Sequence, residues 1–304
     1  MTTLLQRCWL AFDGLPFIRN GIQQAQTRYK DVYEATCEHH LRVLLEALDG
    51  DFHRFDAAVE SFVTLTIDAL KMQAQFVASG KFSAFSPEQA AEHVYNDADL
   101  MQGPYLSGLY LAHVFWPNHF QKLQYFRDSF LPRLPETGMV LDVGSGPGTF
   151  AVNCSLARPD VQVLALDISP FSPPMVLALH RASGGEAGGL RADVGDFLEA
   201  KLEAQAPLSG VIFSEVIEHL SDPAKGMAKL ARLVRPETPI FFTTATNAAF
   251  YDHTIIFADQ AEIEALLARF GFVVDECLAI PVYQSRQALP VLDYNAIIHL
   301  EGAG

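Results

Sequence analysis

An α/β fold with a mostly parallel seven-stranded sheet, preceded by a helical lid, is what this 304-residue sequence predicts. Three observations carry the prediction. The chain changes character near residue 135, from helical spacing to an alternation of short apolar runs and amphipathic segments. That alternation is the pattern of a parallel sheet covered on both faces. The first apolar run leads into "VLDVGSGPGTF", Val140 to Phe150, where three glycines fall at alternate positions. A glycine turn after a strand usually holds an anionic or nucleotide-like ligand.

The elements follow in order. From Ile18 to Leu48, apolar residues recur at three- and four-residue spacings, and Gly50 suits a helix stop. A second helix is expected from Phe52 to Ala78, ending before Gly80. "SPEQ", Ser86 to Gln89, has an N-cap serine and a proline at the first helical position. The aromatic stretch from Gly103 to Leu134 reads as two helices broken at Pro117, and Pro132 and Pro135 mark a linker. Strands are then expected at Val140–Val143, Val161–Leu166, a segment ending near Asp193, Gly210–Ser214, Ile240–Thr244, a run from Phe272, and Val291–Glu301. Helices are expected at Phe150–Leu156, Pro223–Val234 and Ala261–Phe270. The division expected is a helical lid or substrate domain over 1–134 and a Rossmann-like domain over 135–304. "ASGGEAGG", Ala182 to Gly189, is a glycine-rich loop.

Composition narrows the function. Half the residues are hydrophobic and 19% are charged, which describes a globular chain and not a disordered one. A net charge of −15, with no Lys/Arg cluster, speaks against nucleic acid, because neutralising phosphates needs basic residues in excess. The four cysteines, at 8, 37, 154 and 277, form no C-x-x-C pair and read as reduced structural thiols. "MTTLLQRCWLAFDG" lacks the apolar core of a signal peptide, and no apolar run approaches the roughly 20 residues of a membrane span. A cytoplasmic enzyme with a small-molecule substrate and no membrane partner is expected. Its oligomeric state is left open.

Two nucleotide readings compete for the glycine turn. A dinucleotide fingerprint, G-x-G-x-x-G, wants glycine at 149, where the chain has Thr149. Gly144, Gly146 and Gly148 make G-x-G-x-G instead, with Asp142 two residues ahead. A carboxylate there would repel a pyrophosphate, yet it could meet an ammonium group directly or through a water. A ligand with adenosine at one end and an amino acid at the other fits better, namely S-adenosylmethionine (SAM).

From "LDVGSGPG" onward the chain resembles the class I SAM-dependent methyltransferases, over about residues 138–300. The resemblance implies SAM as cosubstrate, held by Asp142, Gly144, Ser145, Gly146 and Gly148 of the turn. It implies that Asp167, with Ile168 after it, binds the ribose hydroxyls from the end of the second strand. "ADVGDF" resembles the adenine-contacting segment, with Asp193 as acceptor from the adenine amino group and Val194 beside it. "VIFSEVIEHLSDP" resembles the fourth motif, where Ser214 and Glu215 face the cofactor. Against these roles stands the reading in which such aspartates cap helices and turns.

The acceptor is not legible in the cofactor motifs, because methyl transfer needs positioning more than any universal catalytic residue. His219, His253, Asp252, Tyr105 and His119 are the candidates for catalysis or substrate contact. Each histidine could equally be a satisfied structural one. "EVIEHL" also gives an E-x-x-E-H arrangement, similar to small-RNA 3′-terminal 2′-O-methyltransferases, in which such residues and a later histidine hold a divalent metal. Glu215, Glu218, His219 and His253 would match that set. The same segment resembles many small-molecule methyltransferases, including the ubiquinone-pathway O-methyltransferases, in which it shapes the site without necessarily coordinating metal, and no metal is the expectation.

Aromatics crowd the stretch before the sheet: Tyr105, Tyr110, Phe115, Trp116, His119, Phe120, Tyr125 and Phe126. At helical spacing they read as core. As a lid they would exclude water and offer aromatic faces to a sulfonium. Methylation of a small metabolite, in secondary metabolism, is the expected activity. An enclosed site also leaves room for intramolecular attack by SAM's own amine on its γ-carbon, as in azetidine-2-carboxylate synthases, with methylthioadenosine released. A non-catalytic SAM-binding protein is the remaining alternative, and it commonly loses parts of the glycine turn or the ribose acid.

Overall fold

A computed structural model of the chain describes residues 3–82, 85–202, 207–285 and 288–302. The helical half begins with a helix that hydrophobic spacing did not reveal, α1 (Leu4–Ala11), started by a reciprocal capping box between Thr3 and Gln6. The run expected from Ile18 to Leu48 is two helices, α2 (Pro16–Tyr29) and α3 (Asp31–Ala47). They break at Lys30, whose φ of 48° no helix accepts and no glycine or proline announces. α4 (Phe52–Ser79) matches expectation closely, capped by Asp51 on the amides of His53 and Arg54 and closed by left-handed Gly80.

Next come two short helices, α5 (Pro87–Ala90) and α6 (Ala98–Leu100), each running into a wide π-type turn, Ala91–Tyr95 and Met101–Tyr105. Such turns recur at functional sites. α7 (Leu106–Phe115) and α8 (Pro117–Tyr125) are separated at Trp116, which is extended, with Pro117 opening α8 as its position predicts.

The second half alternates as expected: β1 (Gly138–Val143), α9 (Thr149–Ala157), β2 (Val161–Asp167), α10 (Ser172–Ala182), β3 (Leu190–Val194), β4 (Gly210–Ser214), α11 (Pro223–Leu233), β5 (Ile240–Thr246), α12 (Gln260–Arg269), β6 (Phe272–Ser285) and β7 (Ala288–Leu300). α10 was hidden by Pro173 and Pro174. Both sit in its first turn, where a missing N–H costs nothing. The strands form one seven-stranded sheet in the order β3-β2-β1-β4-β5-β7-β6. The first five are parallel, and β7 runs antiparallel to β5 and β6. The order reverses between β1 and β4, so ligands are expected beyond their carboxyl ends.

The helical half and the sheet share one apolar cluster that includes Phe12, Phe62, Phe115, Phe126, Phe150 and Phe241. Phe126 of the segment after α8 meets Phe241 of β5 at 5.1 Å and Phe150 of α9 at 4.9 Å between ring centroids. The aromatic stretch therefore divides. Phe115, Phe120 and Phe126 are core, whereas Tyr105, Trp116 and His119 also wall a cavity. All four cysteines are free, three of them buried. Among the described residues no helix is long and apolar enough to cross a membrane.

Candidate active site

The glycine turn leaves β1 with Gly144, Gly146 and Gly148 at φ of 60°, 52° and 81°. Two are also spatially obligatory. A Cβ at Gly148 would lie 2.6 Å from a Val176 methyl, and one at Gly144 would lie 3.0 Å from Val216. The turn is anchored across strands, with the Gly146 amide donating to Asp167 Oδ2 at 2.7 Å while Ser169 donates to Oδ1 at 2.8 Å. Each Asp167 oxygen keeps a lone pair for a further donor. Burial pushes the Asp167 carboxyl up, against the pull of those two amides. Asp142, also buried, accepts from the Ala151 amide at 3.1 Å and so caps the start of α9. Its carboxyl is pushed well up by burial, with that single amide opposing.

These residues open onto one cavity of about 1140 Å³. Its wall includes Asp142, Gly144, Ser145, Gly146, Asp167, Ile168, Ser214, Glu215, His219 and His253, together with Tyr105 and His119 from the helical half. Gly148 lies behind the turn, packed on Val176. Asp193 and Val194 are not on this wall. Asp193 pairs with Arg191 at 3.0 Å and is half exposed, and Val194 is exposed as well. Gly195, Asp196 and Phe197 take that place. They belong to the same "ADVGDF" segment, three residues on.

Beyond β4 the chain bends sharply. Glu215 has φ of 53°, a strained value for a non-glycine residue. Ser214 and Thr243 hydroxyls meet at 2.8 Å, and Thr243 donates to Glu215 Oε1 at 2.7 Å. Glu215 also takes Lys122 Nζ at 2.9 Å, and the same ammonium lies 3.1 Å from Asp293, which accepts from Asn118 at 2.9 Å. Burial raises the Glu215 carboxyl, but the Lys122 ammonium and the Thr243 hydroxyl overcome it and hold the group below its ordinary value. Lys122 is only 1% exposed. Its signal in the sequence was a lone lysine within an aromatic run.

A second cluster lies beside it. Glu218, His219 and His253 present ligand atoms within 4.8 Å of one another. The two imidazoles stand perpendicular, 4.8 Å apart. His219 Nδ1 lies 3.0 Å from the Asp252 carbonyl, and His253 Nδ1 lies 3.0 Å from the Ala248 carbonyl. A carbonyl only accepts, so each Nδ1 carries the proton and each Nε2 keeps its lone pair. Burial lowers the His219 imidazole, but the Asp252 and Glu218 carboxylates outweigh it and the net shift is upward. Burial, helped by His219, brings His253 down to about 4. Glu218 is buried beside the Thr244 hydroxyl, without a well-formed hydrogen bond to either carboxyl oxygen. Burial and the Glu215 charge push it up. Glu215 itself is spent on Lys122 and Thr243, so three of the four E-x-x-E-H candidates converge and the fourth does not.

Asp252 is buried off the cavity wall and accepts at Oδ2 from Tyr105 at 2.5 Å and Tyr95 at 3.3 Å. Tyr95 escaped the sequence reading, because only the folded lid brings residue 95 to residue 252. His119 stands against Trp116 and His113, with its Nδ1 unpartnered. Burial holds it well below the ordinary histidine value.

A doubly wound sheet whose glycine turn, second-strand acid and fourth-strand end share one cavity is a Rossmann-like fold with its cavity at the carboxyl ends of the strands. The chain belongs to the methyltransferase-domain family, whose model matches residues 115–277. The matched segment is a methyltransferase domain, and it takes in the glycine turn, Asp167 and the end of β4. The site fits SAM: the wall at Gly144 and Gly146 carries no side chain, and the Asp167 oxygens retain acceptor capacity. The chain is 35% identical over 110 residues to a ubiquinone biosynthesis O-methyltransferase of Yersinia enterocolitica, covering 34% of this chain and 41% of that protein. It is 34% identical over 123 residues to the Vibrio cholerae protein of the same name, covering 40% and 48%. The match therefore spans less than half the length of either relative. An O-methyltransferase family protein from Burkholderia thailandensis shares the fold, with a TM-score of 0.52, 13% identity, and coverage of 82% of this chain and 72% of that one.

Proposed function

We propose that the protein transfers the SAM methyl group to a hydroxyl of a small, enclosed acceptor, with His219 as general base. The observation that carries this reading is that His219, its Nδ1 held by Asp252, shares one cavity with the glycine turn. SAM supplies the electrophilic methyl. The acceptor oxygen attacks it, the carbon–sulfur bond breaks with its electrons going to sulfur, and the acceptor proton goes to His219 Nε2. S-Adenosylhomocysteine is the by-product. In this reading Asp167 takes the ribose hydroxyls, and Asp196, on the cavity wall, takes the adenine amino group in place of Asp193. Tyr95 and Tyr105 hold Asp252, and Asp252 orients His219. An oxygen acceptor is supported by the name that the Yersinia and Vibrio relatives share.

The test is formation of S-adenosylhomocysteine from SAM across a panel of phenols, catechols and hydroxylated metabolites. His219→Gln should lower the rate by about 100-fold or more, the usual contribution of a general base, while SAM affinity changes less than twofold. A fully active His219→Gln variant would remove the base.

One observation favours a metal-assisted version. Two imidazoles with free Nε2 lone pairs and a buried, poorly partnered carboxylate make a set of two histidines and one carboxylate suited to Mn, Fe, Co or Zn. Glu218, His219 and His253 would hold the ion, which would supply Lewis acidity to the acceptor hydroxyl. Elemental analysis after dialysis against Co²⁺ separates the versions. One equivalent retained, and lost in Glu218→Gln, selects the metal; none retained selects the base alone.

A further inference from the structure

The cavity extends beyond the glycine turn to α4 and the start of α2. Small-molecule sites usually measure about 300–1,000 Å³, and this one measures about 1140 Å³. Its two ends differ in chemistry. The inner end carries His119, Lys122, Glu215, His219 and Asp293. The outer arm runs along one face of α4, at Thr66, Ala69, Leu70, Gln73, Ala74 and Val77. From residue 66 to 77 this face extends about 17 Å at 1.5 Å per residue. The same lining includes Phe17, Val282 and Val291.

The outer arm offers a ligand hydrocarbon and little else. Its two polar side chains are spent within the protein. Thr66 donates to the Phe62 carbonyl at 2.7 Å and accepts from Trp116 Nε1 at 3.0 Å. Gln73 donates to the Asn247 carbonyl at 2.9 Å and accepts from the Ala249 amide at 2.9 Å. At the rim, Phe17, Leu70, Val77 and Val282 are 36–47% exposed, a concentration of large apolar side chains that marks a binding surface. A docked peptide would bring backbone amides and carbonyls that find no free partner on the side chains of this wall. A hydrocarbon chain has none to satisfy.

We propose that this arm binds a hydrocarbon chain carried by the acceptor, on the order of ten carbons long over the 17 Å face, with the reacting hydroxyl at the inner end. The inference rests on the methyl-transfer reading for the location of that hydroxyl. α2 and α4 precede residue 115, where the family match begins, so the residues they give the arm lie outside the matched domain.

The experiment is calorimetric titration of the full chain with hexanol, octanol and decanol, with and without S-adenosylhomocysteine. Affinity should rise about fourfold per added methylene, the ratio equivalent to 0.8 kcal/mol. Ala74→Trp fills the arm midway at an exposed position, and Leu70→Asp places a charge on the rim. Each should weaken decanol at least tenfold while S-adenosylhomocysteine affinity stays within twofold. Chain-length-independent binding, or unchanged decanol affinity in both variants, overturns the arm. A dimer in light scattering that Leu70→Asp dissolves also overturns it, by assigning the face to a second copy. Decanol binding without any S-adenosylhomocysteine binding would leave the arm standing and overturn the methyl-transfer reading instead.

Discussion

Asp167 uses one lone pair on each oxygen to hold the glycine turn and the segment after β2, and each oxygen retains a further lone pair. Asp167→Ala should therefore weaken SAM by at least about 1.5 kcal/mol, the low end for a charge-assisted hydrogen bond, read by calorimetry; unchanged affinity would remove the assignment. Buried histidines give a pH signature. His40, whose ring is sealed in the helical core, is brought down to about 3 by burial, with Arg127 adding to it. Unfolded, the ring titrates near 6.5. Its share of stability is thus complete above about pH 6.5 and is lost as pH falls toward 3. Between pH 6 and 4 the wild type should lose stability relative to His40→Gln by about 1.4 kcal/mol per pH unit, measured by urea unfolding. A pH-independent gap would show that His40 is protonated in the fold. Asp142 and Asp167 were legible in the sequence because strand ends locate them. Lys122 and Tyr95 were not, since only packing brings them to Glu215 and Asp252. Asp193 pairs with Arg191 and lies off the cavity wall, where Asp196 stands; the sequence alone does not say which acid of that segment lines the cavity.

At the scale of elements, the sheet was readable because four of its strands, β1, β2, β4 and β5, are short, mostly buried apolar runs set among helices. The helix break at Lys30 and the proline-masked start of α10 were not, because local conformation there is set by neighbours. The glycine turn is the most constrained element. Gly148→Ala combines φ of 81° with a 2.6 Å approach to Val176. It should cost more than about 1 kcal/mol of stability and lower the melting temperature; an unchanged melting temperature would mean that the turn relaxes freely. The segment carrying Tyr95 and Tyr105 is tied to the loop after β5 through Asp252. Asp252→Asn should speed amide exchange across residues 91–105, leaving α4 unaffected. Equal exchange in both proteins would sever that tie.

For the whole molecule, the helical half and the sheet are joined through Phe126, Phe150 and Phe241, so neither buries its apolar face alone. A chain starting at Pro135 should aggregate or fail to bind SAM, and a soluble, active one would contradict this shared core. The net charge of −15 offers no excess of basic residues to neutralise nucleic-acid phosphates. The most direct test of methyl transfer needs no knowledge of the acceptor. Purified protein is incubated with SAM, first alone and then with a metabolite extract, and the adenosine products are identified by mass spectrometry. The result expected is no turnover of SAM alone and S-adenosylhomocysteine once the extract is added. Methylthioadenosine from SAM alone, matched by a cyclic four-carbon amino acid, would contradict it and make SAM itself the substrate.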